Sequence, residues 1–327
     1  MSPSLELLVS NLVSPLPLAF AIGIVATLVR SELEFPEPVL NALSIYLVFS
    51  IAIKGGTELA AAGFAAIAWP ATLTAGLACA VPCGVFWIGR RFLRLGTADA
   101  AGLAALYGSV SSVTFFAALT LAARAGTAVE PFMPVLVSVM EWAILVALFL
   151  ARRQLRREQP GASVPLREIV IDTLRGRSVV LMLGGLVMGY AIGESGFKSV
   201  KPVFEDAFRG VLVLFLLEMG MVAARRFGDL RRVGLRLVAF ALVMPVIHGL
   251  LGVLAGQLAG LSVGGAFVLG AITASASYID APAAVRAALP QANPSIYLTS
   301  SLGITFPFNL LVGLPLLLAF ARWLYAA

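Results

Sequence analysis

The chain has 327 residues, 60% of them hydrophobic and 12% charged, with 23 Lys and Arg against 17 Asp and Glu and a formal net charge of +6. Ordinary globular domains carry about 25% charged residues, so this composition excludes a water-soluble fold and describes an integral membrane protein. One His and two Cys in the whole chain also leave too few ligands for a disulfide-built or zinc-built scaffold.

Ten apolar runs follow one another, at residues 15–30, 38–60, 65–89, 99–123, 130–151, 178–194, 203–224, 236–259, 264–288 and 295–321. Runs of roughly 17 to 25 residues cross a bilayer as helices. Lipid offers no partner for open backbone groups, and the runs show neither strand alternation nor strand length. An all-α membrane protein with ten transmembrane helices is predicted, and a barrel is excluded. If the first helix runs from outside to inside, 17 of the 23 basic residues fall in inner connections, among them Arg30, Arg90, Arg91, Arg94 and seven arginines from Arg152 to Arg177. The positive-inside rule then places both termini outside a bacterial inner membrane. Read this way, the basic excess is a topology signal in short loops and no nucleic-acid surface.

Pro38-Val39, Lys54, Gly56, Ala60 and Ser111 reappear, 164 positions later, as Pro202-Val203, Glu218, Gly220, Ala224 and Ser275. A constant shift over separate segments indicates duplication. With five spans per copy, the second copy must insert upside down. The organisation expected is a first five-helix repeat at 1–151, a cytoplasmic linker at 152–177 and an inverted five-helix repeat at 178–327. The linker is the one long polar stretch, and Leu166, Ile169, Val170 and Leu174 predict a short amphipathic helix at the membrane surface over 165–174.

Along the chain, Lys54 is the first charge inside a span, and Glu58 one turn on is its expected partner. Cys79 and Cys83 share a helix face and are expected to be small core residues. Gly108-Ser109-Val110-Ser111-Ser112-Val113-Thr114 concentrates hydroxyls in the middle of the fourth run. Glu141 lies deep in the fifth, where a charge costs at least about 2.5 kcal/mol unless paired or wet. Glu218 repeats the position of Lys54, and His248 is the one side chain whose ordinary pKa lies near neutrality. In the ninth run, Thr273-Ala274-Ser275-Ala276-Ser277-Tyr278-Ile279-Asp280-Ala281-Pro282 again gathers hydroxyls, and Pro282 predicts a helix break near Ser277 to Ala281. Thr299, Ser300, Ser301 and Thr305, beside Asn309, form a third polar patch in the tenth.

Broken helices present N-terminal N–H groups that suit an anion and unwound carbonyls that suit sodium. The candidate anion site is Gly108, Ser109, Ser111, Ser112, Ser275, Ala276 and Ser277. The candidate cation site is Ser111, Thr114, Ser277, Asp280 and Glu141, with Lys54, Glu218 and His248 in charge or proton roles. The bland alternative is that serines let membrane helices pack closely and bond back to their own turns.

At these residues, and in Phe208-Arg209-Gly210 through Met219-Gly220-Met221, Pro245-Val246-Ile247-His248-Gly249 and Pro290-Gln291-Ala292-Asn293-Pro294-Ser295, the chain resembles the single-subunit sodium-dependent bicarbonate transporter family of cyanobacterial type. The resemblance implies core and gate domains, a homotrimer, and symport of sodium, the coupling ion, with bicarbonate at the two serine-rich breaks, with no further cofactor. It also implies a PII-like regulatory protein as a cytoplasmic partner. The expected function is an elevator-like sodium–bicarbonate symporter. Its rivals are proton- or sodium-driven transport of another small anion, such as a monocarboxylate or sulfate, and a membrane signalling protein that no longer transports. No HExxH pattern or paired acids on adjacent turns suggest an enzyme.

Overall fold

The computed structural model describes residues 13–62, 65–158, 171, 175, 177–225, 230–278 and 280–326, which are mostly helical and hold no strand. In chain order the helices are α1 (Pro15–Leu28), α2 (Glu37–Ala62), α3 (Ala65–Arg91), α4 (Thr97–Gly108), α5 (Ser112–Arg124), α6 (Met133–Glu141) and α7 (Ala143–Glu158). After the linker come α8 (Arg177–Lys201), α9 (Phe208–Arg225), α10 (Leu230–Leu258), α11 (Val263–Thr273) and α12 (Asp280–Ala288). The last helical stretch, α13 (Pro294–Ala326), widens into π-turns at Thr299–Thr305 and Asn309–Gly313.

Each of the ten apolar runs is occupied by helix, but three of them are split in two: α4 and α5, α6 and α7, α11 and α12. Seven helical stretches among the described residues are long and apolar enough to cross a membrane. Two further apolar helices, α1 and α11, are shorter, with 14 and 11 residues. The runs at 178–194 and 203–224 count once, because a π-turn at Pro202–Asp206 joins them into the stretch Val180–Arg225. Inside it α8 kinks at Gly193, whose φ of +59° only glycine adopts freely. The amphipathic helix expected at 165–174 lies outside the described residues.

Lipid tails are as apolar as leucine, so membrane helices gain little by hiding side chains and associate through close backbone packing at small residues. Two helix pairs do this: α1 lies along α9, and α2 lies along α8. A Cβ on Gly23 would overlap the Leu217 carbonyl oxygen, and one on Gly220 would overlap that of Phe20. In the other pair, a Cβ on Gly189 would overlap the Ile53 carbonyl oxygen, and one on Gly56 that of Leu186. The two sets of contacts correspond, with Ile53 matching Leu217 and Gly56 matching Gly220.

Helices α3–α7 and α10–α13 pack chiefly on one another. Short α4 and α11, buried almost throughout, sit at their centre. Edge-to-face rings join this group to the first: Phe116 of α5 with Phe208 of α9 at 5.0 Å, and Phe20 of α1 with Phe306 of α13 at 5.2 Å. One side of α3 is left uncovered, so Cys79 and Cys83 are exposed and are not the core residues expected. Exposed Trp69, Trp87, Val187, Leu258 and Trp323 mark the same kind of lipid-facing surface.

Candidate functional site

The first helix break follows from a steric stop and a cap. Gly108 ends α4 wedged between Pro82 and Ala143, where a Cβ would touch both. Ser109 to Ser111 leave the helix, and Ser111, in extended conformation, restarts it by accepting the Thr114 N–H at 3.2 Å on its Oγ. All three are buried.

The second break begins where α11 ends at Thr273 and closes where α12 starts at Asp280. Ser277 caps α12 by accepting the Ala281 N–H at 3.3 Å. The break therefore overlaps the predicted stretch Ser277 to Ala281 but begins earlier, at Ala274. Pro282 falls instead in the first turn of α12, where a missing N–H has no carbonyl to serve.

The two breaks touch. The Ser111 N–H donates to the Ser275 Oγ at 2.9 Å, and the Ser277 N–H donates to the Leu106 carbonyl at 2.8 Å. That carbonyl is open because its usual partner four residues on, Val110, has left the helix. The Ser275 hydroxyl donates in turn to Ile272 O at 2.7 Å, and Asn309 Nδ2 holds the Ala274 carbonyl at 2.8 Å. Buried Ala276 lies between these anchors.

Helices around the breaks supply further polar groups. The Ser109 hydroxyl donates to a carboxylate oxygen of Glu141, which is 3% exposed at the end of α6. Tyr107 shares a hydrogen bond of 2.6 Å with Thr305, whose hydroxyl donates to the Ala241 carbonyl at 2.7 Å. Pro245, four residues beyond Ala241, has no N–H to offer it. The Tyr278 hydroxyl faces that of Ser111 without meeting it in ordinary hydrogen-bond geometry.

The remaining candidates scatter. Ser112 and Thr114 stay with the first break. Lys54 pairs with Glu205 at 2.9 Å and not with Glu58, because the π-turn at Pro202–Asp206 delivers a carboxylate from across the chain. Glu218 is buried on α9 with one carboxylate oxygen unpartnered among the described residues, and the same holds for Nδ1 of buried His248. Thr299, Ser300, Ser301 and Thr305 are all buried, in the π-helical turn Thr299–Thr305. The side chain of Asp280 lies outside the described residues. Sequence reasoning gave no weight to Tyr278, Tyr107 or the Leu106 carbonyl; polar rings inside apolar runs were the available signal.

A cavity of about 320 Å³ opens between α2, α5, the start of α6 and the start of α9. Lys54, Glu58, Glu205 and Arg209 are among its lining residues, as are Phe115 and Phe116, about one turn from Ser111 in sequence.

Long apolar helices, two of them interrupted at buried points that bind each other, define a multi-pass membrane protein. The chain belongs to the Na+-dependent bicarbonate transporter superfamily, whose family model matches residues 15–322. This is the family that the residues resemble, and it is one of transporters, with sodium and bicarbonate as its cargo. No curated protein matches the chain.

Proposed function

We propose that the protein is a secondary active transporter carrying sodium and bicarbonate together across the bacterial inner membrane. The observation that carries this reading is the hydrogen bond from Ser111 to Ser275, which brings two broken helices to one buried point. Their capped N-termini offer backbone N–H groups to an anion without a fixed cation, around Gly108, Ser109, Ser112 and Ala276. Sodium would take hydroxyl and carbonyl oxygens at Ser111, Thr114 and Ser277, with Glu141 and Asp280 as the candidate carboxylates.

Matching glycine contacts in the α1–α9 and α2–α8 pairs support two inverted five-helix repeats, 1–151 and 178–327. Helices α1, α2, α8 and α9 would then form a gate, and the others a core that slides past it as an elevator. A homotrimer would hold the gates still, and a PII-like protein would dock near the linker on the cytoplasmic side, with both termini outside. Uptake of labelled bicarbonate into proteoliposomes tests the reading. A sodium gradient directed inward should drive accumulation, and no uptake under any gradient would overturn it.

The contact between Ser109 and Glu141 favours a second reading, proton-driven uptake of bicarbonate or of a monocarboxylate or sulfate. Replacing the sodium gradient by a proton gradient in the same assay separates the two.

A further inference from the structure

The 320 Å³ cavity is lined by an exposed arginine that the fold leaves without a partner among the described residues. Arg209 opens α9, lines the cavity, and has no hydrogen-bond or ion-pair partner among the described residues. The neighbouring cations are engaged. Lys54 meets Glu205 at 2.9 Å, Lys201 meets Asp206 at 2.6 Å, and Lys198 lies 3.7 Å from Glu194.

Three carboxylates also line the cavity, and two of them are engaged. Glu205 holds Lys54, and Glu130 accepts the Ser262 N–H at 2.6 Å and its hydroxyl at 3.2 Å. Glu58 stands one turn beyond Lys54. The Lys54–Glu205 pair is itself a partition, since both residues also line a second cavity of about 300 Å³ bounded by Lys198 and Lys201.

A guanidinium offers a planar fork of donors that matches two oxygens of a planar oxyanion, and a cleft concentrates its field. Phe208, next to Arg209, packs edge-on against Phe116 of α5, and both line the cavity with Phe115, about one turn along α5 from the first helix break. We propose that Arg209 marks an anion-loading site for a small planar oxyanion, separate from the serines, with Lys54 as its second cation once Glu205 releases it. Its place on a transport path rests on the function proposed above; its binding of an anion does not.

The test uses full-length protein with Cys79 and Cys83 replaced by Ala and a single cysteine introduced by Thr120→Cys, a position that lines the cavity. Its reaction with an anionic methanethiosulfonate is timed in the presence of bicarbonate, nitrate or chloride. Bicarbonate and nitrate should slow the reaction and chloride should do so far less. R209Q should abolish that protection, R209K, which lacks the fork, should weaken it about tenfold, and E205Q should strengthen it by freeing Lys54. Protection unchanged by R209Q, or weakened alike by R209Q and E205Q, would overturn the proposal. R209K supplies the comparison if R209Q does not fold. In proteoliposomes R209Q should raise the KM for the anion about tenfold relative to that for sodium. Wild-type protein that carries no bicarbonate would defeat the transport reading, while the protection series still decides the site.

Discussion

The backbone N–H of Ser111 donates to the hydroxyl of Ser275 at 2.9 Å, across 164 positions of sequence and in the buried centre of the fold. The same hydroxyl donates to Ile272 O, so Ser275 closes its own break and opens a link to the other. Ser275→Ala should leave the Ser111 N–H without a partner, at a cost of about 1–3 kcal/mol. A lower melting temperature in detergent, with loss of sodium-driven uptake, is the expected result. Unchanged melting would show that water replaces the hydroxyl.

Close glycine packing gives a prediction with a built-in control. Gly23→Ala and Gly220→Ala push a methyl into a carbonyl of the facing helix and should each destabilise by about 1–3 kcal/mol. A methyl on Gly76 or Gly184 meets nothing within 4 Å, and Ala there should be neutral or stabilising by up to about 1 kcal/mol. Thermal unfolding of the four variants, followed by intrinsic fluorescence, separates packing from helix propensity.

Thr305 serves a carbonyl that Pro245 abandons. Thr305→Val should orphan Ala241 O and the Tyr107 hydroxyl, costing about 1–3 kcal/mol for each group left unpaired. Pro245→Ala restores an N–H within the helix, so the same Thr305→Val change should cost less in that background. A double-mutant cycle should therefore yield a coupling of about 0.5–3 kcal/mol, and additivity would remove the link.

Glu141 distinguishes a structural anchor from a cation ligand. Glu141→Gln keeps an acceptor for the Ser109 hydroxyl while removing the charge. Stability should change by less than about 1 kcal/mol, because a hydrogen bond of comparable net worth survives. The sodium KM of uptake should rise about tenfold or more if the carboxylate holds the ion, a loss of about 1.4 kcal/mol in affinity. An unaltered sodium KM would confine Glu141 to positioning Ser109.

Much of the site was legible because hydroxyls are conspicuous in apolar runs. Both clusters, at Ser109–Ser112 and Ser275–Ser277, mark helix breaks in the structure. Pro282 located the second break but not its limits, since proline is equally at home in the first turn of a helix, and only the Ser277 cap shows where that turn begins. Lys54 was assigned to Glu58 from local spacing. Its partner stands 151 positions away, brought by a π-turn that no periodicity announces.

The sequence by itself determined the membrane class, the ten helical runs, the family and the two serine clusters, because these depend on composition, length and local chemistry. Tertiary structure alone decided that the two clusters bind each other, that Thr305 fills the gap left by Pro245, that Cys79 and Cys83 face outward, and that Arg209 lines a cavity without an ion-pair partner among the described residues. Each of these depends on which helix lies against which. In lipid that choice is made by glycine contacts and hydrogen bonds between residues far apart in the chain.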